Sequence, residues 1–225
     1  MVYRPSRFSF LPIVVKNLLI INGLLFFATV VFQQMGIDLI HELGLFFPYS
    51  EYFRPYQLVT HMFMHGNFEH LLFNMLALWM FGSPMENYWG PQRFLTYYFA
   101  TGLGAALLHM GVNAFEYHAL TEAGALSGGF SANALGQLLY SPVVGASGAI
   151  FGLLLAYGMT FPNQEIYVYF LLPIKAKYFV IIYGVLELVL GITKSNSAVA
   201  HFAHLGGMLF GFLLIRYWRK NAFRF

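Results

Sequence analysis

Residues 142–162 read PVVGASGAIFGLLLAYGMTFP, a charge-free run framed by Pro142 and Pro162. One reactive side chain, Ser147, stands at its start among Gly145, Ala146 and Gly148. A helix from Ser147 to Phe161 would measure about 22 Å at 1.5 Å per residue, against a hydrocarbon core of about 30 Å. With Phe161 near one face, Ser147 lies roughly 8 Å below the other. Pro142 to Ala146 would then be non-helical backbone at membrane depth, which is tolerated only where protein or trapped water satisfies it. That reading predicts a water-accessible cavity with Ser147 near its floor. A tilted or mismatched helix, with Ser147 bonding back to its own backbone, fits the length equally well.

The rest of the chain agrees with a membrane setting. Its 225 residues are 59% hydrophobic and 9% charged, against about 25% charged in a soluble domain. Mean hydropathy is +0.63. Six stretches read as spans: Asn17 to Met35, Asn67 to Ser83, Phe94 to Val112, Ala146 to Phe161, Tyr178 to Thr193, and Ala198 to Tyr217. Gly82, Ser83 and Pro84 are expected to stop the second, and Pro162 the fourth. Basic residues precede the first stretch, but no A-x-A-type cleavage site follows it, so it reads as a retained span rather than a signal peptide. The expected organisation is a tail of residues 1–16, an all-α six-helix membrane domain of residues 17–220, and a tail of residues 221–225.

Orientation follows from the basic residues. Arg4, Arg7, Lys16, Arg93, Lys175, Lys177, Arg216, Arg219, Lys220 and Arg224, ten of 12, fall on one side. Only Arg54 and Lys194 fall on the other. The positive-inside rule therefore puts both termini in the cytoplasm and turns the loops of about residues 36–66 and 113–145 outward. Aromatic Tyr49, Tyr52, Phe53 and Tyr56 suit the first loop to the membrane interface. Gly124, Gly128 and Gly129, with Ser127 and Ser131, mark the second as a mobile segment, either a lid or, more simply, a connector.

Small residues favour the cavity. Gly148 and Gly152 on the fourth span, and Gly207 and Gly211 on the sixth, form small-xxx-small pairs that permit close backbone approach. At about 100° per residue, His204 shares the side of the sixth span that carries these glycines, while His201 points about 120° away from Gly207. Packing of the glycine faces would bring His204 to Ser147 and leave His201 at the outer mouth, structural or solvated.

The inventory then excludes chemistries. No Cys is present, which removes thiolate nucleophiles and cysteine-ligated metals. His41-Glu42-Leu43-Gly44-Leu45 lacks the second histidine of H-E-x-x-H. Asp38 is the single aspartate, too few for a two-aspartate site and distant in sequence from the glycine faces. The soluble-hydrolase elbow G-x-S-x-G fails at Ala149. What remains is Ser147 activated by His204 without a carboxylate, since a neutral imidazole can accept the hydroxyl proton.

Donors for an oxyanion are available. His70 and Asn74 are at i and i+4 on the second span and share a face; the Ser147 N–H, at a helix N-terminus, adds a third. His61 and His65 have the same spacing but no third metal ligand nearby, and read as hydrogen-bonding groups at the outer end of that span. Glu86 is expected to pair within its own turn, near Gly90 and Arg93. Glu187, inside the fifth span, is a functional candidate or a hydrogen-bonded packing contact, with no partner named by the sequence.

Together these residues resemble the rhomboid family of intramembrane serine proteases. Gly145-Ala146-Ser147-Gly148 is similar to its G-x-S-G motif. Ala203-His204-Leu205-Gly206-Gly207 through Gly211 resembles A-H-x-x-G-x-x-x-G, His70 through Asn74 resembles H-x-x-x-N, and Glu86 through Arg93 resembles E-x-x-x-G-x-x-R. Thr60-His61-Met62-Phe63-Met64-His65 fits the approach to the second span. The resemblance implies Ser147 as nucleophile, His204 as general base, and His70, Asn74 and the Ser147 N–H around the oxyanion. It implies transmembrane proteins as substrates in a lipid bilayer, and neither a cofactor, a metal nor nucleic acid. The chain departs from the family at Tyr56-Gln57, where many members have Trp-Arg, and at Phe151, where some have a Tyr that stacks on the catalytic histidine. A client-binding relative without activity would lack the serine or histidine. A channel or transporter would be indifferent to loss of Ser147. The short tail and compact form suit a prokaryotic plasma membrane.

Overall fold

A computed structural model describes residues 8–127, 132–168, 171–193 and 200–222. Arg4, Arg7, Lys194 and Arg224, used above for orientation, lie outside them, as do Ala198, Gly128, Gly129 and Ser131. A helix occupies each of the six apolar stretches. These are α1 (Ile13–Gln34), α4 (Phe68–Ala77) continuing into α5 (Ser83–Trp89), α6 (Pro91–Ser127), α8 (Ser147–Thr160), α9 (Ala176–Thr193) and α10 (His201–Ala222). Short helices α2 (Leu39–Leu43) and α3 (Gln57–Thr60) lie before α4, and α7 (Ala132–Tyr140) before α8. An antiparallel hairpin, β1 (Glu165–Val168) and β2 (Leu172–Lys175), joins α8 to α9. Among the described residues two helices, α1 and α9, are long and apolar enough to cross a membrane by length and composition; α8 is apolar but shorter.

The centre is α8. Its buried set, Gly148, Ala149, Ile150, Gly152, Leu153, Leu154, Ala156 and Gly158, runs all round the helix, the pattern of a fully enclosed element. α6 and α10 pack most extensively against it and against each other. In contrast, α1 and α9 present large apolar side chains outward, among them Leu24, Phe27, Ile181, Ile182, Val189 and Ile192.

The second apolar stretch does not stop at Gly82-Ser83-Pro84. A π-helical turn over Leu78–Gly82 shifts the hydrogen-bond pattern, and Pro84 falls in the first turn of α5, where its missing N–H costs nothing. The helix ends only at Gly90, whose φ of 82° favours glycine. Glu86, on α5, is buried and accepts from the N–H groups of Val14 (3.0 Å) and Val15 (2.8 Å). It caps the start of α1, a role the expected pairing within its own turn did not contain.

The second outer segment also differs from expectation. α6 runs on to Ser127 and α7 follows, so the described part of residues 113–140 is helical rather than an open loop. The run Asn113 to Ser127 holds no proline and is rich in Ala, Glu and Leu, which propagate a helix readily.

Before α8 the chain is non-helical, one of the two readings the length allowed, and protein satisfies its backbone. Leu45 and Val143 exchange both N–H···O bonds at 2.9 Å, and the Gly145 N–H donates to the His61 carbonyl at 2.8 Å. The first outer segment is held by Gln57, only 1% exposed. Its Oε1 accepts from the N–H of Arg54 (3.0 Å) and Phe46 (3.4 Å), and its Nε2 donates to the carbonyls of Tyr52 (3.0 Å) and Glu42 (3.3 Å). Where the family resemblance calls for Arg, this amide ties one loop together from within. Gln57→Ala leaves those groups buried without a partner, and is expected to cost about 2–4 kcal/mol. Thermal unfolding in detergent should show it, together with faster proteolysis within residues 42–56.

Candidate active site

Ser147 is the first residue of α8, and His204 lies near the start of α10. They are 57 residues apart in sequence, yet His204 Nε2 and Ser147 Oγ are 2.8 Å apart. Glycine makes this approach possible. A Cβ built on Gly207 would collide with the carbonyl oxygen of Gly148, so α8 and α10 touch backbone to backbone here. The glycines do not simply face one another, however. Gly148 also packs on Ala105, Gly152 on Thr101, and Gly211 on the Tyr97 hydroxyl, all from α6. That hydroxyl donates to the Gly152 carbonyl at 2.8 Å. The third helix is therefore a full partner in bringing the pair together, through small residues the sequence reading left out.

The Ser147 side chain is half-buried and His204 is buried. Both line a cavity of about 550 Å³, with His61, Asn67, Glu69, His70, His109 and Gly145 among its walls. The Phe151 ring lies flat on His204, with centroids 4.2 Å apart and planes within 7°. It packs on the imidazole as a tyrosine would, without a hydroxyl.

His70 and Asn74 stand on α4, whose start is capped by Asn67 accepting the His70 N–H at 2.8 Å. A Cβ on Gly145 would meet Cε1 and Nε2 of His70 at 2.8 Å, and Asn74 Nδ2 at 3.8 Å. Both side chains thus flank the turn just before Ser147. The φ of Gly145, +124°, leaves that position to glycine. Asn74 Nδ2 donates to the His70 carbonyl at 3.0 Å; the amide carries a second N–H. Of the upstream histidines, His61 Nδ1 donates to the Gln57 carbonyl at 2.8 Å. His65 is buried and meets His70 edge-on, with centroids 5.0 Å apart, and its nitrogens have no hydrogen-bond partner among the described residues. Burial pushes both imidazoles down to about 4, so both are neutral at pH 7.

One expectation is corrected and one alternative is decided. His204 is not without a carboxylate: its Nδ1 lies 3.0 Å from Glu187 Oε2 on α9. Of the structural and solvated readings of His201, the structural one stands: it is buried, and its Nδ1 lies 2.7 Å from the same oxygen. The glycine geometry described only the side of α10 that faces α8. α9 packs on its other side and covers His201 there. Asp38, set aside as a third member, caps α2 by accepting the N–H of Ile40 (2.9 Å) and His41 (3.1 Å). Glu187, His201 and His204 each offer a ligand atom within 4.8 Å of the others. The Oε2 distances of 2.7 and 3.0 Å already match charge-assisted hydrogen bonds.

The chain is similar to several curated sequences. It is 29% identical over 175 residues to "RHOMBOID-like protein 12, mitochondrial" of Arabidopsis thaliana, covering 76% of this chain and 49% of that protein. It is 30% identical over 159 residues to "Rhomboid protease GluP" of Bacillus subtilis, covering 70% and 25%. It is 27% identical over 157 residues to "Rhomboid protein 1, mitochondrial" of Saccharomyces cerevisiae, covering 69% and 40%. The chain thus spans half or less of the length of each of these relatives. A family model described as the Rhomboid domain matches residues 52–221, a stretch that holds α4 through α9, all but the last residue of α10, and the side chains of His70, Asn74, Ser147, Glu187 and His204. On that match the chain belongs to the rhomboid family of membrane proteins.

Proposed function

We propose that this protein is an intramembrane serine endopeptidase that cleaves other membrane proteins at or near their transmembrane segments. The observation that carries the reading is the 2.8 Å contact between His204 Nε2 and Ser147 Oγ at a cavity wall. A hydroxyl hydrogen-bonded to a neutral imidazole is an activated nucleophile. Ser147 Oγ attacks the scissile carbonyl carbon while its proton passes to His204 Nε2. The carbonyl electron pair moves onto oxygen, where His70, Asn74 and the Ser147 N–H are the available donors. The C–N bond then breaks, and His204 returns the proton to the leaving amine. Water from the cavity repeats the sequence on the acyl-enzyme and frees Ser147.

In this reading all six apolar stretches span the bilayer, residues 17–220 form the protease domain, and both termini are cytoplasmic. The cavity opens to the outer side of the membrane. A substrate helix enters sideways near α4 and α9, both of which present exposed apolar side chains such as Phe73, Leu72, Ile181 and Val185. Its peptide bond becomes reactive only once local helix unwinding exposes it, so small or helix-breaking residues should favour cleavage. A prokaryotic plasma membrane is supported by the similarity to a Bacillus subtilis protein; the mitochondrial names among its relatives make an organelle membrane the competing location.

The test is labelling by a serine-reactive fluorophosphonate in detergent. Wild type should label, and Ser147→Ala should not. Equal labelling of both, or none of wild type alongside intact binding of membrane clients, would replace this reading with that of an inactive client-binding rhomboid-like protein.

A further inference from the structure

Glu187 is 6% exposed on a predominantly apolar helix. An intramembrane carboxylate is costly unless it faces partners, and its partners here are two histidines. Gly184, Glu187 and Gly191 lie along one side of α9. A Cβ on Gly184 would meet Met208, and one on Gly191 would meet Phe202 and His201, all on α10. The two glycines bring α9 close enough for the Glu187 side chain to reach across.

We infer that Glu187 is the positioning carboxylate of His204, extending the Ser147–His204 pair to a three-residue relay braced by His201. The inference rests on the serine-protease reading. A carboxylate oxygen accepts and cannot donate, so each Nδ1 that meets Glu187 Oε2 carries a proton. For His204 this fixes the tautomer: Nδ1–H points to Glu187, and bare Nε2 points to Ser147 Oγ. The two partners stand at opposite ends of one ring, with Phe151 stacked on its face. Ring orientation is therefore set in all directions before a substrate arrives. When the Ser147 proton moves to Nε2, the new imidazolium has a negative charge against its other nitrogen, and Glu187 keeps that charge throughout. The second donor, His201 Nδ1–H, holds the carboxylate in place.

A merely structural Glu187 predicts something different. Gln supplies the same acceptor in nearly the same shape, so a polar packing contact would survive Glu187→Gln with activity intact. The full chain is reconstituted in proteoliposomes with a fluorogenic transmembrane peptide, and folding is followed by thermal unfolding. For Glu187→Gln the melting temperature and KM should stay near wild type, with KM within about twofold, while kcat falls about 10²–10⁴-fold. Glu187→Asp should recover at least about tenfold of that loss. His201→Ala, which leaves the His204 contact in place, should lower kcat by less than about tenfold. A Glu187→Gln enzyme within threefold of wild-type kcat overturns the inference. So does a loss that tracks the melting temperature, with Asp no better than Gln. Should Glu187→Gln not fold, Glu187→Asp and fluorophosphonate labelling of the folded fraction carry the test, and labelling of His201→Ala slower than that of Glu187→Asp would count against it. Wild type that fails to label defeats the protease reading itself; a labelled wild type with a fully active Glu187→Gln defeats only the role given to Glu187.

Discussion

Ser147→Ala and His204→Ala should each reduce cleavage of a transmembrane substrate by on the order of 10⁴–10⁶-fold, about 5–8 kcal/mol of transition-state stabilisation. The two losses come from one unit. Without Oγ there is nothing to form the acyl-enzyme. Without the imbalance of a bare Nε2 at 2.8 Å, the hydroxyl keeps its proton and is a weak nucleophile. Because each residue is useless alone, the double variant should be no worse than either single one. The residual rate in all three reflects the donors around Gly145, which neither change touches. Turnover in proteoliposomes measures it, with substrate cut at the same bond by wild type as the reference. A His204→Ala enzyme retaining a tenth of wild-type kcat would show that another group takes the proton. His61 and His109, which share the cavity wall, would be the first to examine.

The second large effect is expected far from any reacting atom. Gly207→Val should abolish measurable turnover even though Gly207 carries no functional group. Its added carbons have no space, because the carbonyl oxygen of Gly148 already occupies the position of the Cβ. α8 and α10 must separate. A shift of 1 Å takes the Ser147–His204 contact from 2.8 Å past the range of a hydrogen bond, and such a misplacement costs about 10²-fold or more in rate. Overpacking adds about 1–3 kcal/mol of lost stability. Gly111→Ala is the matched control, since a Cβ there meets nothing within 4 Å. It should leave kcat unchanged and stabilise α6 by about 0.5–1 kcal/mol. Comparable loss in both variants would mean that helix glycines matter for reasons other than close approach.

The contrast between these positions also explains what could be read from the chain alone. The Ser147–His204 meeting was legible because helical spacing and small residues together define which sides of two helices can touch. The non-helical backbone before α8 was legible from length against bilayer thickness only once the glycine pairs had decided between it and a tilted helix. The partner of Glu187 was not. Its contact depends on how α9 is rotated against α10, and an exposed apolar helix carries little periodic signal to set that rotation. The same blindness hid Thr101 and Ala105 of α6, whose packing against Gly152 and Gly148 only the assembled bundle reveals. Glu86 was misread for a related reason: its partners are backbone N–H groups at Val14 and Val15, and backbone groups leave no trace in composition. Pro84 looked like a stop because proline usually is one inside a helix; the widened turn before it removes the conflict.

That widened turn gives the rod from α4 to α5 one residue of slack in chain length. Each residue of a regular helix advances its azimuth by about 100°, and the turn over Leu78–Gly82 holds one residue more than a regular turn. It sets the phase between the half of the rod that aims His70 and Asn74 at Gly145 and the half that delivers Glu86 to α1. Side chains within those five positions can be exchanged for others of similar bulk while that phase persists. Removal of a single residue can be absorbed there by reversion to a regular turn, but removal of a second would swing one half by about a quarter-turn, so that the end carrying His70 and Asn74 and the anchored end could no longer both be seated.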